Sequence, residues 1–160
     1  MRTMLKSIYG ILQLSSVAWV FLSCEKMPVY EKSYAFDKHE WSQQTKPVFR
    51  FQINDTSKQY DFLLTVRTTT DYKYNNLWVY LNTKTPEGKS AREPFEIKIA
   101  NPDGSWTGKK TGSIVENTLY FKRRKMPLKG TYIFQMEQGV TQSHIDQILD
   151  IGLLIQEGKH

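Results

Sequence analysis

The sequence has almost no cysteine. Cys24 is the only one among its 160 residues, so no intramolecular disulfide can form. The three histidines lie far apart in the sequence, and no pair has the spacing of metal ligands; they are His39, His144 and His160. The domain must therefore be stabilised by packing alone, and we expect neither a bound metal nor a cofactor.

Catalytic motifs and a strong excess of one charge are also absent. No serine stands in a G-x-S-x-G elbow, and no pair of carboxylates is singled out for acid–base work. We therefore expect a protein that is not an enzyme. The net charge of +6 falls to +4 when a leader containing Arg2 and Lys6 is removed, which gives no reason to expect nucleic-acid binding.

Only one long hydrophobic run is present, from Ser7 to Ser23, and it follows the basic residues Arg2 and Lys6. Its 17 residues are short of the roughly 20 apolar residues that a spanning helix needs. A positive start, an apolar centre and a small residue before Cys24 indicate a signal peptide over residues 1–23.

The end of that run, "FLSC", resembles the end of a bacterial lipoprotein signal. A cysteine thiolate readily takes a diacylglycerol on sulfur, so we expect Cys24 to be lipidated and to anchor the protein in a membrane. The alternative is an ordinary signal peptide, or an uncleaved anchor, with an incidental cysteine. Residues 24–29 form a short tether, because the steps from Cys24 to Tyr30 span about 20 Å at full extension. Acidic Glu25 favours the outer membrane by analogy.

The mature chain alternates apolar and polar residues with a period of two. This pattern predicts eight or nine short antiparallel strands in one domain, residues 30–160, folded as a β-sandwich of jelly-roll type. Pro94 is expected to mark the start of a strand. The stretch "SHIDQIL", residues 143–149, is expected to form one short helical turn before the last strand. The predicted inward residues are Phe49, Phe51, Ile53, Tyr60, Phe62, Leu64, Val66, Leu77, Val79, Leu81, Phe95, Ile97, Ile99, Ile151, Leu153 and Ile155.

One stretch combines rigid aromatic side chains with amides, as surfaces that bind proteins or sugars do. Its candidate contact residues are Tyr72, Lys73, Tyr74, Asn75 and Asn76. Tyr72 and Tyr74 have the same parity, so in an extended loop both rings point to one side, and recognition requires both to be exposed. The alternative is a connecting loop whose tyrosines fold back onto the sandwich.

A second stretch places four cations side by side: Lys122, Arg123, Arg124 and Lys125. Basic side chains held near an anionic membrane are attracted to it, so this run is a candidate contact for lipid headgroups or for an acidic partner. The alternative is a solvated strand end, which is what most charge runs are.

Several stretches, in order, resemble one family. They are "YEKSYAFDKHEW", "RTTTDYKYNNLWVYLNTKTPEGK", "NPDGSWTGKKTG", "KGTYIFQMEQ" and "ILDIGLLIQE", and together they resemble the gliding-motility lipoprotein GldH family of Bacteroidetes. The resemblance implies a lipid-anchored envelope protein that supports gliding motility and associated secretion through contacts with other envelope lipoproteins. It transfers a defined role to Cys24 alone. A glycan-binding sandwich on a lipid anchor is the alternative function.

Overall fold

The computed structural model describes residues 27–158. Eleven strands and one 3-10 turn, Asp37–His39, form the regular structure of that part of the chain, and none of its helices is long and apolar enough to cross a membrane. The strands are β1 Tyr30–Ala35, β2 Glu40–Ser42, β3 Val48–Ile53, β4 Gln59–Thr69, β5 Asn76–Lys84, β6 Ser90–Lys98, β7 Lys109–Thr111, β8 Ile114–Lys125, β9 Gly130–Gln138, β10 His144–Asp146 and β11 Ile148–Glu157.

The strands form two packed antiparallel sheets. One has the order β1-β11-β4-β8-β7, the other has the order β3-β9-β5-β6, and β10 pairs with β2 in a small separate ribbon. Strands β2, β7 and β10 have only three residues each. If the other eight strands are renumbered 1 to 8 along the chain, one sheet has the order 1-8-3-6 and the sheet that faces it has the order 2-7-4-5. Two four-stranded sheets in this order form a jelly roll. The predicted all-β antiparallel sandwich is confirmed.

The core lies between the two sheets and follows the predicted alternation. On β4, every second residue from Tyr60 to Val66 is buried, and on β3 the buried residues are Phe49, Phe51 and Ile53. Phe51 meets Phe62 of the opposite sheet edge to face, with ring centroids 5.8 Å apart. A continuous layer of apolar side chains thus fills the space between the two sheets without a disulfide bond.

Strand register defines two ends of the sandwich. Tyr30, at the start of β1, pairs with Ile155, which pairs with Phe62, which pairs with Phe121 near the end of β8. The start of the described domain and the end of β8 therefore lie at one end, which we call the proximal end. Strands β4 and β9 run away from it, so the segments that follow them, 70–75 and 139–147, lie at the opposite, distal end.

The expected helical turn at residues 143–149 is wrong. His144–Asp146 form strand β10 instead, with Ile145 buried and its two neighbours exposed. Ile145 pairs with Trp41 of β2, a side chain with no exposed surface. Pairing with β2 buries Ile145 beside this indole and satisfies the backbone hydrogen bonds of the segment. A single isolated helical turn would form few backbone hydrogen bonds, so the paired strand is favoured.

The expected strand start at Pro94 is also wrong, because β6 begins four residues earlier, at Ser90. Proline removes a backbone donor, and the structure tolerates it here because β6 is the edge strand of its sheet. Pro94 also makes this edge a poorer template for pairing with another chain.

Glu137 of β9 joins three elements through ion pairs. Its carboxylate lies 2.9 Å from the Lys46 ammonium and 3.3 Å from the Arg92 guanidinium. The hydrogen bond from Lys46, more than that from Arg92, holds the pKa of Glu137 below its usual value. A lowered carboxyl pKa stabilises the folded state above about pH 4.3, the usual Glu value, and this contribution is lost as the pH falls below it.

We therefore expect Glu137→Gln to lower the free energy of unfolding at pH 7 by about 0.5–1 kcal/mol, since the cations are half-exposed and screened. Below the folded pKa of Glu137, the variant and the wild type should unfold alike. Urea unfolding at several pH values measures this difference. An equal loss at acid and neutral pH would contradict the charge-based explanation.

Candidate partner-binding cleft

A cleft of about 500 Å³ opens at the distal end. One wall comes from the β4–β5 loop and the outer face of β5, and the other comes from the segment that connects β9 to β11. We call it the distal cleft. It is lined by Tyr72, Lys73, Tyr74, Asn76, Trp78, Val140, Gln142, Ser143, His144, Ile145, Asp146 and Gln147. Four of the five residues predicted as partner or glycan contacts are among them.

Tyr72 forms part of the core rather than an exposed surface. Only 6% of the residue is exposed, and its hydroxyl donates to the Asn76 carbonyl at 3.0 Å. Burial, reinforced by the neighbouring Tyr74, raises the pKa of the Tyr72 phenol. The expectation that both rings of this loop are exposed is therefore wrong, because the loop turns back at residue 72 and buries this ring. The alternative, a tyrosine folded back onto the sandwich, holds for Tyr72, so Tyr72 and Tyr74 do not form the predicted pair of exposed contacts.

Tyr74 and Trp78 are the exposed aromatic side chains of the distal cleft, at 51% and 43% exposure. The Tyr74 ring rests against Tyr72 in an edge-to-face contact, with centroids 5.6 Å apart. Trp78 stands on the outer face of β5, and its carbonyl accepts the Gly139 N–H at 2.7 Å, which ties β5 to the opposite wall. The Tyr74 ring is thus exposed but packed against Tyr72, and the Trp78 ring is exposed on a strand whose backbone is hydrogen-bonded on both sides.

The two asparagines have different surroundings. Asn76 lines the distal cleft, and its amide donates to the Glu96 carboxylate at 2.8 Å. Asn75 faces a neighbouring depression bounded by residues 100–106, and its carbonyl accepts the N–H groups of Ile99 and Ala100. Asn75 therefore lies outside the distal cleft. The exposed Lys73 lines both the distal cleft and this neighbouring depression.

The opposite wall carries titratable groups that the sequence did not single out. Glu40 of β2 lies across from Asp146, and His144 is on the same face of this ribbon, with possible ligand atoms of all three within 4.8 Å of one another. All three residues are exposed, and exposed groups of this kind commonly approach without a metal ion. The ribbon therefore adds charge and hydrogen-bonding capacity to the rim.

Taken together, the distal cleft is a concave surface with two accessible rings and a polar rim. Exposed rings can stack against flat apolar groups, while imidazole, amide and carboxylate side chains hydrogen-bond around them. Such a surface is suited to recognition of a protein segment or of a sugar.

The four cations of residues 122–125 lie at the proximal end, far from the cleft. All four are exposed. The register of β4 and β8 shifts here, and the Arg123 N–H donates to the Asp61 carboxylate at 2.7 Å while Arg123 takes a φ of 51°. Tyr120 is 60% exposed, and the Lys122 ammonium lies 5.9 Å from its ring centroid. The two predicted contact regions thus occupy opposite ends of the sandwich.

A family model described as GldH lipoprotein matches residues 28–155, which cover most of the sandwich. The chain belongs to the GldH lipoprotein family. The resemblance of the sequence to this family is thereby confirmed, and membership makes the protein a lipoprotein of the cell envelope.

Two relatives show how far the similarity to other GldH proteins extends. The gliding motility lipoprotein GldH homolog of Christiangramia forsetii is 26% identical over 96% of this chain and 98% of its own length. The gliding motility lipoprotein GldH of Flavobacterium johnsoniae is 28% identical over 92% and 95%. A solved structure of the infectious bursal disease virus Gx strain matches 80% of this chain and 32% of its own at 12% identity, but its TM-score of 0.34 is too low to carry an argument.

The lipidation site predicted for this GldH-family chain, Cys24, lies outside the described residues, as do the first half of the tether and the whole signal peptide. After Cys24, the first residue described as hydrogen-bonded to the sandwich is Val29, whose N–H donates to the Ile155 carbonyl at 2.8 Å. The chain therefore joins the proximal end of the sandwich five residues after Cys24.

Proposed function

We propose that this protein is a lipid-anchored, non-catalytic component of the cell envelope that supports gliding motility and its associated secretion machinery by binding protein partners in the distal cleft. Both relatives carry gliding motility in their names. The observation that carries the proposal is the pair of exposed rings, Tyr74 and Trp78, in one cleft at the end of the sandwich opposite the N-terminal attachment. We place the lipid on Cys24 and, from Glu25, in the outer membrane.

The chemistry of the cleft supports binding rather than turnover. His144 and Asp146 of its lining are exposed, and the imidazole Nε2 lies 3.9 Å from the carboxylate. The buried Tyr72 phenol of the same lining already donates its proton to the Asn76 carbonyl in a hydrogen bond within the loop. Aromatic anchors surrounded by polar groups, in contrast, are where binding energy concentrates in protein interfaces.

A glycan is the second candidate ligand for the same cleft. Sugar sites combine aromatic faces with amide side chains, and here Tyr74 and Trp78 stand beside Asn76 and Gln142 in a concave surface. Two other exposed aromatic side chains of the described residues, Tyr34 and Tyr120, do not line the distal cleft.

The test is a Tyr74→Ala/Trp78→Ala double variant, expressed in place of the native copy. We expect at least about tenfold less crosslinked partner to co-purify from detergent-solubilised envelopes, together with slower surface spreading, since each aromatic anchor contributes more than about 1 kcal/mol. Tyr34→Ala, which removes an exposed ring of β1, is the matched control and should behave as wild type.

Unchanged partner recovery in the double variant would contradict docking at the cleft. A glycan array probed with the purified wild type and the double variant separates the two ligand classes. Loss of glycan binding without loss of any protein partner would favour the second candidate.

A further inference from the structure

We propose that the proximal end of the sandwich lies against an anionic phospholipid surface and so directs the distal cleft away from the membrane. This inference rests on the lipid anchor proposed at Cys24, but it concerns a different surface and a different ligand from the partner site. It assigns a role to the four cations of residues 122–125, which do not line the distal cleft.

The end of β8 and the tether lie at the same end of the sandwich. Tyr30, Ile155, Phe62 and Phe121 form one row across the larger sheet, so the end of β8 lies at the end where the tether arrives. Val29 is already hydrogen-bonded to that sheet. The chain from Cys24 to Tyr30 reaches about 20 Å at most, which keeps this end within reach of the headgroups.

The proximal end carries exposed positive charge. Within residues 27–158, the cations of residues 122–125 form no ion pair, and Lys129, in the next connection, forms none either. Of the acidic groups at this end, Glu157 pairs with Lys58 and Glu87 pairs with Lys89. The Asp61 carboxylate accepts the Arg123 N–H, the Asp55 carboxylate accepts from Ser57, and Glu31 is exposed. Among residues 27–158, the proximal end therefore presents exposed cations without a carboxylate partner.

The distal end lacks this one-sided charge. Its exposed cations, such as Lys109 and Lys110, share the end with Asp71, Asp103 and Glu116. Attraction to an anionic surface would thus turn the molecule in one direction, with the end of β8 towards the membrane and the cleft away from it.

Tyr120 is an exposed aromatic side chain next to these cations. It has the same strand parity as Lys122, so both side chains leave the outer face of β8 just before its end. An exposed tyrosine beside lysine is the pairing found where protein meets the headgroup layer. The short tether also favours lipid over an acidic protein, because a protein would have to enter the narrow gap between this end and the bilayer.

The test uses the lipidated full-length protein, purified in detergent and reconstituted into vesicles of phosphatidylcholine alone or with phosphatidylglycerol. With Cys24 acylated, an introduced cysteine is the only free thiol. A nitroxide is attached at Pro127→Cys, at the proximal end, or at Thr141→Cys, at the distal end; both positions are exposed. The readout is accessibility to a water-soluble paramagnetic relaxation agent.

Phosphatidylglycerol should lower accessibility at position 127 at least about fivefold, which corresponds to one cation's attraction to an anionic surface, and leave position 141 unchanged. High salt should remove the effect. Arg123→Gln/Arg124→Gln/Lys125→Gln should abolish it, whereas Lys98→Gln/Lys109→Gln/Lys110→Gln, which removes the same charge from exposed positions at the distal end, should not. Matching melting temperatures show that both triple variants are folded.

Equal accessibility in the two vesicles, or an equal loss in both triple variants, would overturn the inference. Position 127 becoming protected only after polyglutamate is added would assign the cations to an acidic protein and overturn it as well. Vesicle flotation separates the two failures: protein that floats without protection refutes the orientation alone, while protein that does not float refutes the anchor and the orientation with it.

Discussion

Tyr72→Ala is expected to lower the free energy of unfolding by about 3–5 kcal/mol, the usual cost of removing a buried aromatic side chain. The ring is almost completely buried in the core cluster, and its hydroxyl donates to the Asn76 carbonyl. Removing it leaves a cavity and an unpaired carbonyl where the loop turns into β5. Urea unfolding of the purified mature protein, followed by tryptophan fluorescence, measures the change.

Tyr74→Ala is the matched control two residues away. Its ring is half exposed, so the loss should stay within about 0.5 kcal/mol. Tyr72→Phe keeps the ring but loses the hydroxyl bond and should cost about 1 kcal/mol. Because burial raises the pKa of Tyr72, its contribution is complete below about pH 10 and is lost as the pH rises further. Equal stability of the two alanine variants would contradict the assignment of Tyr72 to the core.

Cys24→Ser is expected to abolish membrane anchoring. Acyl chains bind the bilayer with about 0.8 kcal/mol per buried methylene, so a multiply acylated terminus is held almost irreversibly, whereas serine cannot take the thioether-linked lipid. The variant should either accumulate with its signal peptide uncleaved or appear in the soluble fraction. Metabolic labelling with a fatty acid, followed by fractionation of the envelope, measures both outcomes.

Ser23→Ala serves as the control for this variant, because it keeps a small residue before the cysteine and should leave processing and labelling unchanged. A Cys24→Ser protein that has lost its signal peptide and still sediments with membranes would refute lipidation as the anchor.

Period-two alternation was enough to predict the sandwich because each strand has one face in the core. Leu77, Val79 and Leu81 are buried on β5 as expected, and Ile151, Leu153 and Ile155 are buried on β11. Side-chain alternation of this kind is a local property, so it can be read without knowing the neighbouring strands.

Local structure that depends on contacts with residues far away in the sequence could not be predicted from side-chain alternation. The stretch "SHIDQIL" has apolar residues at spacings that suit a helix as well as a strand, and the choice is made by Trp41, about a hundred residues earlier. Likewise, the parity of Tyr72 and Tyr74 assumed an extended loop, but the chain turns there and buries one ring. The approach of Glu40 to His144 and Asp146 also depends on this long-range ribbon.

Envelope partners are proposed to bind at the distal cleft, and site-specific photocrosslinking in intact cells tests this most directly. A photoreactive phenylalanine derivative placed at Trp78 should give discrete protein adducts on irradiation, because this side chain borders the cleft and is exposed. The same derivative at Tyr34, an exposed ring outside the cleft, should give none of them. Adducts that are absent at position 78, or identical at both positions, would contradict the claim.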